Sequence, residues 1–173
     1  MKKLIFLVGF MGVGKTYLGK KLAQQLHYDF LDTDQLIEKE EGLTIADIFA
    51  QQGEPAFRDY ENKIIQKLLD RTRLVVSTGG GLPCHHHLMS TLCQYGTTIY
   101  LEAPIDIIVK RLLENPEERP LIKALDESGK IDLLNDIMTQ RAPCYERADY
   151  IFYLSGKKQE DEQDFLSMCQ NEF

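Results

Sequence analysis

The stretch "LIFLVGFMGVGKT", residues 4–16, decides the fold. Five apolar residues run straight into Gly9-x-x-x-x-Gly14-Lys15-Thr16, and a helical pattern follows. A continuous apolar run of that length reads as a strand buried on both faces. Glycines let the next turn curl so that its N–H groups face an anion, and the helix behind it adds positive dipole. Strand, glycine loop and helix in that order match G-x-x-x-x-G-K-[ST], a cradle for nucleotide phosphates. In such a loop the lysine reaches the β- and γ-phosphates, and the Thr16 hydroxyl is placed to ligate Mg²⁺.

Outward from this loop, Leu18, Leu22 and Leu26 recur at i, i+4 and i+8, the stripe of a helix. Four further apolar runs read as strands: "YDFLD" (28–32), "LVVST" (74–78), "TTIYLE" (97–102) and "YIFYL" (150–154). Strands alternating with helices predict a parallel sheet covered on both faces. Ile105, Ile108, Val109, Leu112 and Leu113 give a full helical face. Thr44 predicts a helix cap, with Asp47 in the first turn and Gly53 at the far end. A second helix is expected from Pro55 to about Asp70. Residues 33 to 70 thus hold more helix than one crossover needs, which predicts an insertion. Residues 114 to 129 are charged and broken by proline, the composition of a mobile flap.

The bulk composition narrows the function. A chain of 173 residues with 43% hydrophobic and 27% charged residues predicts one soluble domain. The net charge of -7 argues against a general nucleic-acid surface, so an anion site must be a local basic pocket. The N-terminal apolar run is too short for a secretory leader and lacks a cleavage site, and no segment approaches a membrane span. Cys84, Cys93, Cys144 and Cys169 form no paired framework, which suits a reducing cytoplasm.

Four more segments carry candidate chemistry. In "DTD", Asp32 and Asp34 project the same way while the chain stays extended. One carboxylate near Mg²⁺ and one near an acceptor hydroxyl suit phosphoryl transfer, while a helix cap by Thr33 or Asp34 is the plain alternative. In "GEPAFRDYE", Arg58 and Glu61 lie one turn apart, the spacing of an ordinary surface ion pair, or of an arginine clamping a carboxylate. "STGGGLP" follows the third strand, where open α/β sheets bind ligands. "CHHH" (84–87) is contiguous and so unsuited to chelation, and Cys84 and Cys93 read as packing residues.

Taken together, "GFMGVGKT", "LDTD", "GEPAFRDYE", "STGGG", "ERPLI" and "RAPCYERAD" resemble shikimate kinase, in order and spacing, over nearly the whole chain. The resemblance implies a single α/β three-layer P-loop kinase domain with a five-stranded parallel sheet of order 2-3-1-4-5. It implies a substrate-binding insertion over 33–61, a lid over 114–128, and ATP-dependent transfer to the shikimate 3-hydroxyl in aromatic amino acid biosynthesis. Asp34, Arg58, Gly80 and Arg141 are then expected to hold shikimate. Gly12, Val13, Gly14, Lys15, Thr16 and Tyr17 are expected to hold ATP phosphates, with Thr16 on Mg²⁺ and Asp32 acting through its water shell. Lys15, Asp34 and Arg119 carry the catalytic assignments, Arg119 swinging in with the lid. A cytoplasmic monomer without nucleic-acid or membrane partners is expected.

The sequence departs from that family pattern at "LPCHHHL", at Ser77 where many P-loop enzymes carry aspartate, and at "SGKKQEDE", which matches poorly the expected adenine-contacting stretch, so Lys157 is assigned no base contact and Arg111 is the weaker candidate for stacking on adenine. Gluconate kinase and nucleoside monophosphate kinases share the loop and lid but are not expected to pair "DTD" with "GEPAFRDYE". A guanine-nucleotide switch lacks its base reader, since "NKII" (62–65) has no aspartate.

Overall fold

In the computed structural model, which describes residues 4–114 and 127–173, β1 (Leu4–Val8) is the centre of the sheet, and all five of its residues are buried. It is flanked by β3 (Leu74–Ser77) and β4 (Thr97–Glu102), with β2 (Asp29–Asp32) and β5 (Tyr150–Tyr153) at the edges. All four pairings are parallel and the order is β2-β3-β1-β4-β5. This is the order implied by the resemblance. The edge strands show the reason for their weaker signal, because β2 and β5 have partly exposed faces where β1 and β3 have none.

Register puts Asp32 beside Ser77, and Leu7 beside Ser77 on the other flank, so β1, β2 and β3 end together. The connection from β3 crosses to β4 on the far side of β1, which makes the C-terminal end of β1 a topological switch point. Ligands of open α/β sheets bind in that crevice. The glycine loop emerges there. Gly9 has φ +136°, and a Cβ at that position would lie 2.5 Å from the Leu101 carbonyl, so only glycine fits.

Helix α1 (Lys15–Leu26) buries Leu18, Leu22 and Ala23 on the sheet, and no side chain caps its N-terminus. Helix α2 (Thr33–Glu41) follows β2 without a loop, and α3 (Ile45–Leu68) is broken at Gly53. Thr44 caps α3 through the Asp47 N–H, and Pro55 opens the second segment, as the sequence predicts. That segment buries Phe57, Ile64, Ile65 and Leu68, each worth about 1.5–3 kcal/mol when fully buried. The turn Leu82–Cys84 leads to α4 (Leu88–Tyr95), and α5 (Ile105–Glu114) buries Ile108, Val109 and Leu112.

Two helices lack a clear stripe in the sequence. Helix α6 (Glu127–Tyr145) touches the core mainly through Leu134 and Tyr145, and α7 (Lys158–Glu172) through Phe165 and Cys169. Asp161 fixes the start of α7 by accepting from the Ser155 and Gly156 N–H groups. Among the described residues, no helix is long and apolar enough to cross a membrane. The expected lid lies almost wholly outside the described residues, and Arg119 with it.

Candidate active site

The glycine loop closes around its own lysine. Lys15 is buried, and its Nζ donates to the Gly9 and Phe10 carbonyls, both at 2.8 Å. The ammonium is thus held inside the curl of Gly12, Val13 and Gly14, at the uncapped end of α1. Val13 is fully in the core, and its carbonyl accepts from Arg111 Nη1 at 2.8 Å, which ties α5 to the loop. Tyr17 faces the other way. Its hydroxyl donates to Glu162, and Lys158 Nζ lies 4.4 Å from its ring centroid. Lys157 pairs with Glu160 at 2.9 Å, on the surface.

Asp32 serves two partners at once. Its Oδ2 accepts from the Thr16 hydroxyl at 2.7 Å, and its Oδ1 accepts from the Asp34 and Gln35 N–H groups. The cap of α2 is therefore Asp32, not Thr33 or Asp34. The reason is geometric: β2 remains extended through Asp32, so the first helical residue is Thr33. Thr33 has a different task. It is fully buried, and its hydroxyl accepts the Gly79 N–H at 2.8 Å, pinning the glycine run to α2.

Arg58 and Glu61 do not form the surface pair their spacing suggests. Glu61 is 1% exposed and Arg58 8%, with Nη1 donating to Glu61 Oε2 at 2.7 Å. Arg58 and Glu61 lie on the buried side of this segment with Phe57 and Ile65, under the glycine run, while Asp59, Lys63 and Gln66 stay exposed. A Cβ on Gly79 would lie 2.5 Å from Asp34 Oδ1 and 3.1 Å from Glu61 Oε1. One on Gly81 would lie 2.8 Å from Arg58 Nη1. Asp34, Arg58 and Glu61 thus converge beneath residues 79–81, which need bare backbone to approach them.

Arg141 joins the group electrostatically. Burial pushes the Glu61 carboxyl up to about 7 against the pull of Arg58, the Asp34 charge adds to the rise, and Arg141 opposes it. Four residues beyond Arg141 in sequence, the fully buried Tyr145 donates its hydroxyl to the Gly80 carbonyl. Burial pushes the Tyr145 phenol well above its ordinary range, so it remains a donor. Tyr145 and Glu61 stand inside the sequence motifs, yet the motifs assign neither a task, and nothing in the sequence marks Thr33 as an anchor. Only the i, i+3 and i, i+4 spacings around Arg58 hint at such a network.

Hard oxygen donors gather where a cation would meet the loop: the Thr16 hydroxyl, the Asp32 carboxylate and, 3.3 Å from Thr16 Oγ1, the Ser77 hydroxyl. Among the described residues, no group of three or more His, Cys, Asp or Glu is placed to hold a metal. A sparse oxygen set of this kind fits Mg²⁺, which keeps its waters and takes phosphate oxygens as ligands.

A phosphate loop at the switch point of a 2-3-1-4-5 sheet, beside a pocket of two carboxylates and arginine, defines a P-loop kinase. A family model described as shikimate kinase matches residues 11–170, and the chain belongs to that family. A shikimate kinase of Azobacteroides pseudotrichonymphae is 40% identical over 159 residues, covering 91% of this chain and 93% of that one. The crystal structure of the Bacteroides thetaiotaomicron shikimate kinase matches with a TM-score of 0.91 at 31% identity, over 97% of this chain and 96% of that one. The Acinetobacter baumannii shikimate kinase in complex with shikimate matches with a TM-score of 0.82 at 33% identity, over 98% and 94%.

Proposed function

We propose that the chain transfers the γ-phosphoryl group of ATP to the 3-hydroxyl of shikimate, giving shikimate 3-phosphate and ADP, on the route to aromatic amino acids. The observation that carries this reading is the convergence of Asp34, Arg58 and Glu61 under the glycine run, within the field of Arg141. Such a pocket offers cations for a carboxylate and a carboxylate for a hydroxyl, one strand away from the phosphate loop.

In this mechanism Arg58 and Arg141 hold the acceptor's carboxylate, and the Gly80 backbone steadies its ring. Asp34 orients the 3-hydroxyl oxygen toward the γ-phosphorus and takes its proton as the new P–O bond forms. The bond from the γ-phosphorus to the bridging oxygen breaks, and ADP departs. Lys15, with N–H groups of the loop from Gly12 to Tyr17, neutralises charge on the transferring group. Thr16 and, through water, Asp32 would hold Mg²⁺, which neutralises phosphate charge when bound. Residues 33–61 supply the acceptor side of the pocket, and the lid role expected of residues 114–128 with Arg119 falls almost wholly outside the described residues. The four thiols suit a cytoplasmic site of action, and the working stoichiometry is one chain.

A coupled ADP-release assay offering shikimate, quinate, gluconate and nucleoside monophosphates in turn tests the reading. Turnover is expected with shikimate. Faster turnover with gluconate or a nucleotide acceptor would replace shikimate as the substrate.

A further inference from the structure

We propose that the Glu54 carboxylate is a built-in stand-in for the acceptor's carboxylate, seated on Arg58 in the free enzyme and displaced when the acceptor binds. The proposal rests on the reading of shikimate as the acceptor and of Arg58 as its carboxylate reader.

Arg58 divides its donors between two partners of different character. Nη1 donates to Glu61, whose side chain is 1% exposed, while Nε and Nη2 both donate to Glu54 Oε1, at 3.1 and 2.7 Å. Glu54 is 56% exposed. Glu61 is therefore a fixed partner and Glu54 an exchangeable one, since exposed ion pairs are weakly held. The Nε–Nη2 edge is also the edge that takes a carboxylate through two parallel bonds. With Nη1 committed to Glu61, an incoming carboxylate and Glu54 must compete for it.

The surroundings of Glu54 match those of an acceptor carboxylate. Its hydrogen bonds from Arg58 hold the carboxyl below its ordinary range, and the charges of His85 and Arg141 act in the same direction. Glu54 thus takes hydrogen bonds from one of the two arginines that the proposed function assigns to the acceptor and lies in the field of the other. The backbone gives this anion room to leave. Gly53 breaks α3 immediately before Glu54 at φ 81°, ψ 171°, a conformation open essentially to glycine alone, and Pro55 starts the next segment. Glu54 sits at a joint between helical segments.

An internal competitor reduces the binding-competent fraction of the enzyme and weakens the acceptor's apparent affinity in proportion. Glu54→Gln keeps the shape and removes the charge. Calorimetric titration of the nucleotide-free protein is expected to show shikimate binding roughly 3- to 10-fold tighter in Glu54→Gln than in wild type, as for release of a weakly held competitor. Glu54→Ala should move the same way, and the affinity for ATP should stay unchanged in both. Weaker or equal shikimate binding in folded variants overturns the proposal, because Glu54 would then be orienting Arg58 for its substrate. A crystal structure of the wild-type complex gives a second test that needs no variant. Glu54 is expected off Arg58 with the shikimate carboxylate in its place, and Glu54 retained on Nε and Nη2 beside bound shikimate overturns the idea. Wild type that neither binds nor phosphorylates shikimate sinks the acceptor reading itself, and the stand-in with it.

Discussion

The Thr16 hydroxyl donates to Asp32 Oδ2 at 2.7 Å while the other oxygen of the same carboxylate caps α2. One side chain thereby joins the start of the phosphate-loop helix to the start of the segment that carries Asp34. The two tasks separate by substitution. Asparagine caps a helix about as well as aspartate, so Asp32→Asn should keep its stability within about 0.5 kcal/mol yet need several-fold more Mg²⁺ for half-maximal activity. Asp32→Ala should lose about 1 kcal/mol as well. Urea unfolding and a Mg²⁺ titration of activity check the pair, and an unchanged Mg²⁺ requirement in both would remove Asp32 from the metal's surroundings.

Lys15 is held by two loop carbonyls, so its charge is already positioned before any phosphate arrives. Preorganised charge of this kind is worth about 3–4 kcal/mol to a transition state. Lys15→Ala should therefore lower kcat by roughly 10²- to 10³-fold in a protein that still melts cooperatively. A folded variant with near-normal kcat contradicts the role given to the loop.

Much of this architecture is legible in the amino-acid sequence, and the boundary of what is legible has a physical cause. The phosphate loop, β1, α5 and the Gly53–Pro55 break are local, written in residues a few positions apart, and they appear as expected. Helices α6 and α7 leave no stripe because each meets the core through few residues. The burial of Arg58 and Glu61 is invisible for a different reason. An i, i+3 charge pair is the same string on a surface or in a core, and only the packing of residues 79–81 over it decides. Asp32's double duty likewise depends on Thr16, sixteen residues upstream.

Glu61 makes stability pH-dependent with a definite sign. Burial raises its folded carboxyl from the ordinary 4.5 to about 7, so between those values the folded state binds more protons than the unfolded one. Stability from this group is fully present below pH 4.5 and is lost as pH rises through 7, by at most about 3 kcal/mol for a shift of that size. Glu61→Gln removes the titration. The stability difference between wild type and variant, from urea midpoints at pH 4.5 and 8, should move against wild type as pH rises. A difference independent of pH would mean that folding leaves the proton affinity of Glu61 unchanged.

Arg58→Lys keeps the charge but loses the fork, and Glu61 then retains a single-point partner. Shikimate binding should weaken by about 1–3 kcal/mol, the worth of a charge-assisted hydrogen bond, while ATP binding barely moves. Wild type should discriminate strongly against an acceptor whose carboxylate is replaced by a neutral amide, and the variant less. Equal relative efficiency on acid and amide in both proteins would show that Arg58 does not read the carboxylate.

Tyr145 reaches the site from α6 and donates to the Gly80 carbonyl from a fully buried position. Its ring lies 5.3 Å from that of Tyr100 in β4, so packing and the hydrogen bond hold the side chain together. Tyr145→Phe keeps the packing and takes the donor from a part-buried carbonyl, at a cost of about 1 kcal/mol in stability. A purely structural role would stop there. If Tyr145 also positions the glycine run for the acceptor, two further effects follow, because the residue lies one helical turn from Arg141 and directly on Gly80. The KM for shikimate should rise severalfold while that for ATP stays constant, and combining Tyr145→Phe with Thr33→Val should cost less than the sum of the two, since both anchors hold the same loop. Thermal melts and steady-state kinetics on the four proteins of that cycle give both answers. Additive effects, or a KM for ATP that rises in parallel, would reduce Tyr145 to a packing residue.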